Sequence, residues 1–256
     1  MKKLLSHFER VNSMTQLHGK KLEQAMARAH RNRASSLVAG RNIVAGYARG
    51  WGLQFGTLID VVQNDPLYQE ALALIENLKY LHGYSLMNLF LILKYGIKDL
   101  QGDIIDTGSN GLSALFIAYV ARAFGFRGTV YSFDVFQEIS HLEEHRERAG
   151  LMNLVFVEGS FLDKAPHILK QAKLIILAHL DCDSYISLKN PLSLLKRAMH
   201  PLGGYFIFKD SLRPQSFAAF QAAEEFMEEE KVHAEQNFPH LVYRFPPLKI
   251  PHPIAS

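Results

Sequence analysis

Two turns in the middle of the chain carry residues suited to holding a nucleoside. The stretch DIIDTGSNG gives Asp106, Gly108 and Gly111 the pattern D-x-G-x-x-G after a short apolar run. Glycines let a backbone turn sharply and approach a ligand closely. Asp134 ends the next apolar run, VYSFD, where a carboxylate can accept hydrogen bonds from a ribose diol or, alternatively, cap the following helix. Because the sequence has no P-loop, we expect a nucleoside-containing ligand other than a nucleoside triphosphate.

A second candidate group lies further along the chain. Lys209 and Asp210 follow the apolar run GGYFIF together, where a parallel strand would open into a ligand site. In the run HLD, His179 and Asp181 are two residues apart, so both point to the same side of a regular strand. A carboxylate or an imidazole at such a place can serve as a general base. Asp181 is the first candidate base by position, and His179 is either a second candidate or a core residue.

The elements that must position these residues begin at Gly102, where short β-rich runs start to alternate with amphipathic stretches. This alternation predicts an α/β fold with a Rossmann-like, doubly wound, mostly parallel sheet of seven strands. In such sheets, ligands bind at the carboxyl ends of the strands. The predicted parallel strands are DIID, TVYSFD, LVFVEG, KLIILAHLD and GYFIFKD, the runs VHAEQNF and LVYRF predict a C-terminal antiparallel hairpin, and helices are predicted near 112–124, 138–149, 162–170, 188–199 and 215–230.

The first hundred residues have a different pattern. Residues 1–49 are basic and helix-leaning, which indicates a solvated helix or a dimer arm, with an RNA-binding or membrane-surface arm as alternatives. Residues 63–96 predict two helices, the first with Asp65 as N-cap and Pro66 at its first position. We therefore divide the chain into a helical N-terminal extension for dimerisation or as a lid (1–100), a ligand-binding domain (101–247) and a Pro-rich tail (248–256).

Composition excludes several classes of protein. The 256 residues are 48% hydrophobic and 21% charged, which is ordinary for a globular protein, and a net charge of +3 is too small to argue for nucleic acid. Cys182 is the lone cysteine, so an intramolecular disulfide is excluded and a reducing compartment is favoured. The N-terminal apolar run is too short for a signal peptide, and no run is long enough to span a membrane. We therefore expect a cytoplasmic protein.

Between Gly102 and Phe245 the chain resembles class I S-adenosylmethionine-dependent methyltransferases, and more narrowly the macrocin O-methyltransferase family of sugar and natural-product enzymes. The matching stretches, in the same order and spacing, are GDIIDTGSNGLSALFIAYVA, VYSFDVF, NLVFVEGSFLDKAP, LAHLDCDSY, GGYFIFKDS and EQNFPHLVYRF. The resemblance implies S-adenosylmethionine as cofactor, a hydroxylated small molecule as acceptor, and a homodimer. We expect neither a membrane nor a nucleic acid as partner.

The resemblance also implies roles for individual residues at the cofactor. Asp106 and Gly108 would lie under the methionine part, and Asp134 would hold the ribose hydroxyls. Ser160 and Phe161 would border the adenine ring, with capping of the next helix as the alternative. The full set expected at the cofactor is Asp106, Thr107, Gly108, Ser109, Gly111, Asp134, Val135, Gly159, Ser160, Phe161 and Asp181.

For the acceptor side, the resemblance implies that Asp181 binds a divalent metal and can act as base, with two further ligands at the positions of Lys209 and Asp210. Mg²⁺ prefers hard oxygen ligands, and a nearby ammonium repels it. We therefore predict that Mg²⁺ binding through Asp181 and Asp210 is weak or absent, with Lys209 in the place of the ion; a solvent-facing Lys209 is the alternative. The predicted catalytic residues are Asp181, Lys209 and His179.

Two other functions remain open. The turn GSNGLS lacks the Arg-Gly-Gly segment of the family, and DVFQEISHLEEHRERAG lacks its long acceptor loop, so a cofactor-binding homologue with impaired activity is one alternative. The other is a zinc peptidase, because HLEEH from His141 to His145 fits an inverted zinc-peptidase motif, with Glu224 or Glu225 as a third ligand. The surrounding EEHRER pattern is alternatively a solvated, salt-bridged helix face.

Overall fold

A single seven-stranded sheet forms the centre of the part of the chain that the structure, a computed structural model, describes: residues 37–38, 41–42, 58–75, 83–172, 174–209, 217–236 and 240–247. A separate ladder of two-residue strands joins Leu37–Val38 to Arg41–Asn42. The strands of the sheet are β1 Asp103–Thr107, β2 Val130–Asp134, β3 Leu154–Glu158, β4 Ile175–Leu180, β5 Gly204–Lys209, β6 Ala234–Gln236 and β7 His240–Phe245.

The strand order is β3-β2-β1-β4-β5-β7-β6, in which β1 to β5 run parallel and β7 is antiparallel to both β5 and β6. All residues of β1 and β4 are buried, as expected of central parallel strands that helices cover on both sides. The chain moves outward from β1 to β3 and then returns to β4, so the carboxyl ends of β1 and β4 flank the switch point. The predicted α/β fold, including the closing antiparallel hairpin, is confirmed.

The described helices are α1 Leu58–Gln63, α2 Pro66–Ile75, α3 Gly83–Leu91, α4 Leu112–Ala123, α5 Ile139–Arg148, α6 Phe161–Gln171, α7 Tyr185–Leu195 and α8 Phe217–Glu230, and α3 continues into a π-helical turn, Ile92–Gly96. The Oδ1 atom of Asp65 accepts a hydrogen bond from the Leu67 N–H at 3.0 Å, which confirms the predicted N-cap of α2. Helix α7 begins earlier than predicted, because Ser184 and Ser187 form a capping box at its start.

Each face of the sheet has its own hydrophobic core. Ile104 and Leu177 belong to the core formed with α2, α3 and α4, and Ile105 and Ala178 to the core formed with α6, α7 and α8. We call these two sides of the sheet the α4 face and the α8 face. The alternation of side chains along a strand assigns each residue to one of them.

Helices α2 and α3, from the predicted N-terminal extension, are part of the core on the α4 face. Tyr68 of α2 packs edge-on against Phe90 of α3 and Phe116 of α4, with ring centroids 5.5 and 6.0 Å apart. The tail from 248 and residues 1–36, 39–40, 43–57 and 76–82 of the extension lie outside the described residues. Dimerisation and a lid function of the extension therefore stay predictions. No helix in the described ranges is both long and apolar enough to span a membrane.

Candidate active site

The turn between β1 and α4 packs directly against the end of β4. Gly108 has a φ of 82°, and a Cβ atom at this position would lie 1.9 Å from the backbone oxygen of Asp181. The Asp181 N–H donates a hydrogen bond to the Thr107 carbonyl at 2.9 Å. Gly111, with a φ of 80°, precedes α4 and packs under the side chain of Leu142. Both glycines of the D-x-G-x-x-G pattern are thus required by close packing and by a left-handed backbone.

Asp134 connects three turns at the same edge of the sheet. Its Oδ2 atom accepts a hydrogen bond from the Asn110 N–H at 2.7 Å, and its Oδ1 atom accepts one from the Val135 N–H at 2.8 Å. The Asp134 carbonyl accepts a third, from the Gly159 N–H at 2.9 Å. The N-cap residue of α5 is Glu138, so the alternative interpretation of Asp134 as a helix cap is wrong.

Asn110 is a polar residue that the sequence interpretation missed. Its backbone is left-handed, with a φ of 52°, and its Oδ1 atom accepts a hydrogen bond from the Gln137 N–H at 3.0 Å. Together with its own N–H bond to Asp134, this contact joins the β1–α4 turn to the loop after β2. Asparagine tolerates left-handed φ values better than most residues, so the dipeptide Asn-Gly was the signal in the sequence that could have indicated this turn.

Ser160 and Phe161 lie at the end of β3, where they were predicted. Ser160 is the N-cap residue of α6, but its side chain makes no capping hydrogen bond. Phe161 is the first residue of α6, and its ring packs against Phe133 with centroids 4.8 Å apart. Val135, at the neighbouring strand end, is 73% exposed. An exposed apolar side chain therefore follows Asp134 directly, and a half-buried aromatic ring lies after the end of the adjacent strand.

Asp106 does not lie on the surface of this site, since its side chain is completely buried. Its Oδ2 atom accepts hydrogen bonds from Ser109 Oγ at 2.6 Å and Ser132 Oγ at 3.2 Å. Its Oδ1 atom accepts hydrogen bonds from Ser113 Oγ and His179 Nδ1, both at 2.7 Å. Asp106 thus lies beneath the β1–α4 turn, where these four neighbours enclose its carboxylate.

Two opposing effects set the pKa of Asp106. Burial raises the pKa, whereas the hydrogen bond and charge of His179 and the hydrogen bonds from Ser109 and Ser113 lower it. The second group of effects dominates, so the pKa of Asp106 lies below its ordinary value. The carboxylate is therefore ionised at neutral pH inside the core.

His179 is also completely buried. Its ring lies edge-on to His240 of β7, with centroids 5.7 Å apart, and the Asn88 side-chain amide of α3 donates to His240 Nδ1 at 2.9 Å. A general base must reach the proton that it removes, and His179 has no exposed surface from which to do so. The placement matches the alternative interpretation of His179 as a core residue and argues against its predicted role as a base.

Asp181 follows β4 directly, is half-buried, and lies beside the Gly108 turn. Lys209 ends β5, where its backbone pairs with His240. Asp210 lies outside the described residues, so the predicted metal pair and the role of Lys209 stay predictions. In the ranges that the structure describes, no three His, Cys, Asp or Glu side chains are grouped so that they could hold a metal ion.

Cys182 offers no nucleophile beside Asp181. Its side chain is buried, and burial, followed by the charge of Asp181, raises the pKa of its thiol to about 12. The reactive form of cysteine is the thiolate. A thiol that stays protonated at neutral pH is therefore a structural residue here.

The HLEEH segment forms part of α5, with the Nε2 atoms of His141 and His145 3.3 Å apart. The rest of this helix carries salt bridges, such as Arg148 to Glu144 at 2.5 Å, as the solvated-face interpretation predicts. Glu225, one of the two suggested third zinc ligands, instead accepts a hydrogen bond from Tyr185 Oη at 2.5 Å. The structure gives the zinc-peptidase alternative no support.

Solved structures share this fold. An O-methyltransferase from Bacillus cereus in complex with SAH superposes with a TM-score of 0.53 at 15% identity, covering 71% of this chain and 90% of the other. A Staphylococcus aureus protein proposed to be a caffeoyl-CoA O-methyltransferase gives 0.55 at 13% identity, covering 73% and 96%. A cofactor-bound protein from MTB gives 0.52 at 18% identity, covering 71% and 87%.

No protein-family profile matches the chain, and no curated protein matches its sequence. At identities this low, the superpositions establish the fold and leave the activity to be argued from the site. The chain therefore has the Rossmann-like fold of these methyltransferases.

Proposed function

We propose that the protein is an S-adenosylmethionine-dependent O-methyltransferase that acts on a hydroxyl group of a small molecule, such as a sugar or another natural product. The observation that carries the proposal is the arrangement at the switch point. There Asp134 and Asp181, at the ends of β2 and β4, lie on either side of the Gly108 turn. The fold shared with an SAH-bound O-methyltransferase supports it.

The residues at this edge fit the chemistry of the cofactor. Each carboxylate oxygen of Asp134 accepts one backbone N–H, which leaves acceptor capacity on both oxygens for a ribose diol. Val135 presents exposed apolar surface beside it, as an adenine ring requires. Gly108 is exposed, so a ligand can approach its backbone from the solvent side. Asp134, Val135 and the Gly108 turn would hold the cofactor.

The bound cofactor supplies a methyl group on a sulfonium. The protein must align this group with an acceptor oxygen and remove the hydroxyl proton, and alignment can supply most of the acceleration. Asp181 is half-buried and next to the turn, so it is the candidate to accept the proton. Its backbone N–H bond to Thr107 fixes the position of the Asp181 backbone relative to the Gly108 turn.

Titration of the protein with SAH by calorimetry tests the proposal. We expect wild-type protein to bind SAH and Asp134→Ala to bind it at least tenfold more weakly, because the hydrogen bonds to the ribose are lost. Asp99→Asn is the matched control, since Asp99 is an exposed acid in the turn before β1, at the opposite edge of the sheet. Absence of heat with the wild-type protein would contradict the proposal.

Metal dependence is a separate part of the proposal. We propose that Asp181 and Asp210 bind Mg²⁺ weakly or not at all, because Lys209 replaces an expected oxygen ligand. Calorimetry with Mg²⁺ in the presence of SAH tests this, with Lys209→Asp expected to create or strengthen binding. Micromolar Mg²⁺ binding by the wild-type protein would contradict it.

One observation favours the impaired homologue as a second candidate. Only residues 135–138 connect β2 to α5, which leaves little chain there to form an acceptor site. Cofactor binding without methyl transfer to any hydroxylated acceptor, measured with labelled S-adenosylmethionine, would support this candidate over the first.

A further inference from the structure

Four buried polar side chains form a row across the α4 face of the sheet. Asp106 pairs with Ser132 of β2 on one side and with His179 of β4 on the other, and His240 of β7 lies beyond His179. We call Ser132, Asp106, His179 and His240 the polar row. Each of them is at most 1% exposed. Burying four polar side chains removes them from water at a cost in free energy, so the presence of this row requires a reason.

Stability alone is a poor reason. Burying a charged group is costly, and a buried ion pair is frequently no more stable than apolar residues of similar volume. The Nε2 atom of His179 is buried without a hydrogen-bond partner among the described residues, which adds to the cost. A core built for stability would place apolar side chains here, as the same strand does with Leu177.

The hydrogen bonds of Asp106 indicate what the row does. Ser109 belongs to the β1–α4 turn and Ser113 to the first turn of α4, and both donate to the same carboxylate. Asp106 therefore holds the two sides of the Gly108–Gly111 turn from below. His179 donates to Oδ1, the oxygen that also binds Ser113, and so fixes the carboxylate from the neighbouring strand.

We infer that His179 is a positioning residue, which fixes the Asp106 carboxylate and through it the shape of the turn that holds the cofactor. The inference rests on the proposed function for its ligand, but the ordering of the turn can be measured without one. His179 thereby couples β4, the strand that Asp181 follows, to the cofactor turn.

The test separates the hydrogen bond from the volume of the ring. His179→Asn keeps an N–H donor at the position of Nδ1, whereas His179→Leu removes the donor and keeps an apolar volume. His179→Gln places its amide near Nε2 instead and is the substitute if His179→Leu fails to fold. The control is a substitution at Leu177, because this residue is fully buried on the same face of the same strand. Of Leu177→Val and Leu177→Ala, the control is the one whose thermal midpoint matches that of the variant without the donor, His179→Leu or His179→Gln.

We expect SAH to bind about tenfold more weakly to His179→Leu and His179→Gln, since a hydrogen bond to a charged group is lost. His179→Asn should restore affinity to within about twofold of wild type, and the Leu177 control should not change it. Hydrogen exchange of segment 107–116 should accelerate in His179→Leu but in neither His179→Asn nor the control.

Two outcomes would overturn the inference. The first is equal SAH affinity in all His179 variants, and the second is a loss of SAH affinity in the Leu177 control as large as that in the donor-less variant of the same thermal stability. Failure of the wild-type protein to bind SAH would instead overturn the proposed function. In that case, unchanged exchange of segment 107–116 in His179→Leu would also overturn the inference, and accelerated exchange would support it.

Discussion

The two faces of the sheet differ in the type of side chain that the same strands bury on them. On the α4 face, Asp106 and His179 form a hydrogen-bonded buried pair beneath the β1–α4 turn. On the α8 face, β5 carries aromatic side chains, and Phe206 contacts Phe208, Phe226 and Phe245 with ring centroids 5.4–6.2 Å apart. One face therefore carries buried polar groups joined by directional hydrogen bonds, and the other carries apolar area.

This difference predicts that the α8 face contributes mainly to stability and that the polar row contributes to ligand binding as well. Apolar burial is non-directional and roughly proportional to area, so the aromatic side chains of the α8 face stabilise the domain wherever they pack. Hydrogen bonds of buried polar groups are directional, and each lost partner leaves a buried charge or dipole. Substitutions on the α8 face should therefore change stability, and substitutions in the polar row should change binding as well.

The largest expected effect is on the aromatic face. Phe206→Ala removes a fully buried ring and should lower the free energy of unfolding by about 3–5 kcal/mol, because it leaves a cavity. Urea unfolding measures the loss. The affinity of the folded protein for SAH should stay unchanged, and a parallel loss of affinity would break the separation between the two faces.

Asp106→Asn should have the next largest effect. The variant keeps the shape of the side chain but loses the charge and one acceptor, so it should lower the free energy of unfolding by about 2 kcal/mol. Unlike Phe206→Ala, it should also weaken SAH binding, measured by calorimetry at a temperature where the variant is folded. Undiminished affinity would show that the turn does not depend on Asp106.

The lowered pKa of Asp106 predicts an acid-sensitive core. A group whose pKa is lower in the folded state stabilises the protein fully above its unfolded pKa, and this contribution is lost as pH falls through the folded value. Wild-type stability, from urea unfolding between pH 7 and pH 3, should therefore fall below about pH 4. Asp106→Asn should have a shallower decrease, and identical pH profiles would exclude Asp106 as the source.

The smallest effect on stability is expected for Asn110→Gly. Glycine adopts the left-handed φ of 52° readily, so the free energy of unfolding should change by less than about 1 kcal/mol. The variant loses the side-chain contact to the Gln137 N–H, and SAH binding should weaken by several-fold as the turn loosens. Asn110→Asp keeps the acceptor oxygen and tolerates the left-handed φ, so it should restore SAH affinity. Equal SAH affinity in wild type and Asn110→Gly would show that the contact to Gln137 does not support binding.

The fold could be predicted because its signal is local and repeated. Five apolar runs alternate with amphipathic stretches, and each run became a strand of the sheet. The glycine turn and Asp134 were placed correctly at the carboxyl edge because strand ends meet there in any parallel sheet. The start of α7 differed because the Ser184–Ser187 capping box extends the helix, a signal visible only when both serines are considered together.

The interior of the site could not be predicted in the same way. Asp106 was expected at the ligand, but its burial depends on Ser132 and His179, which only strand pairing brings beside it. The contact between His240 and Asn88 joins residues 152 positions apart in the chain. Periodicity assigns a residue to a face, but the register between strands determines which polar group it meets.

A Cβ atom at Gly108 would lie 1.9 Å from the backbone oxygen of Asp181, which restricts how the acceptor specificity of the protein can be altered. No side chain fits between the Gly108 turn, which would hold the nucleoside, and the peptide group of Asp181. A displacement of one of these two segments therefore displaces the other. Any redesign that moves the backbone of Asp181 therefore also deforms the Gly108 turn. New acceptors are better sought by changing surface loops elsewhere around the crevice while that junction is left untouched.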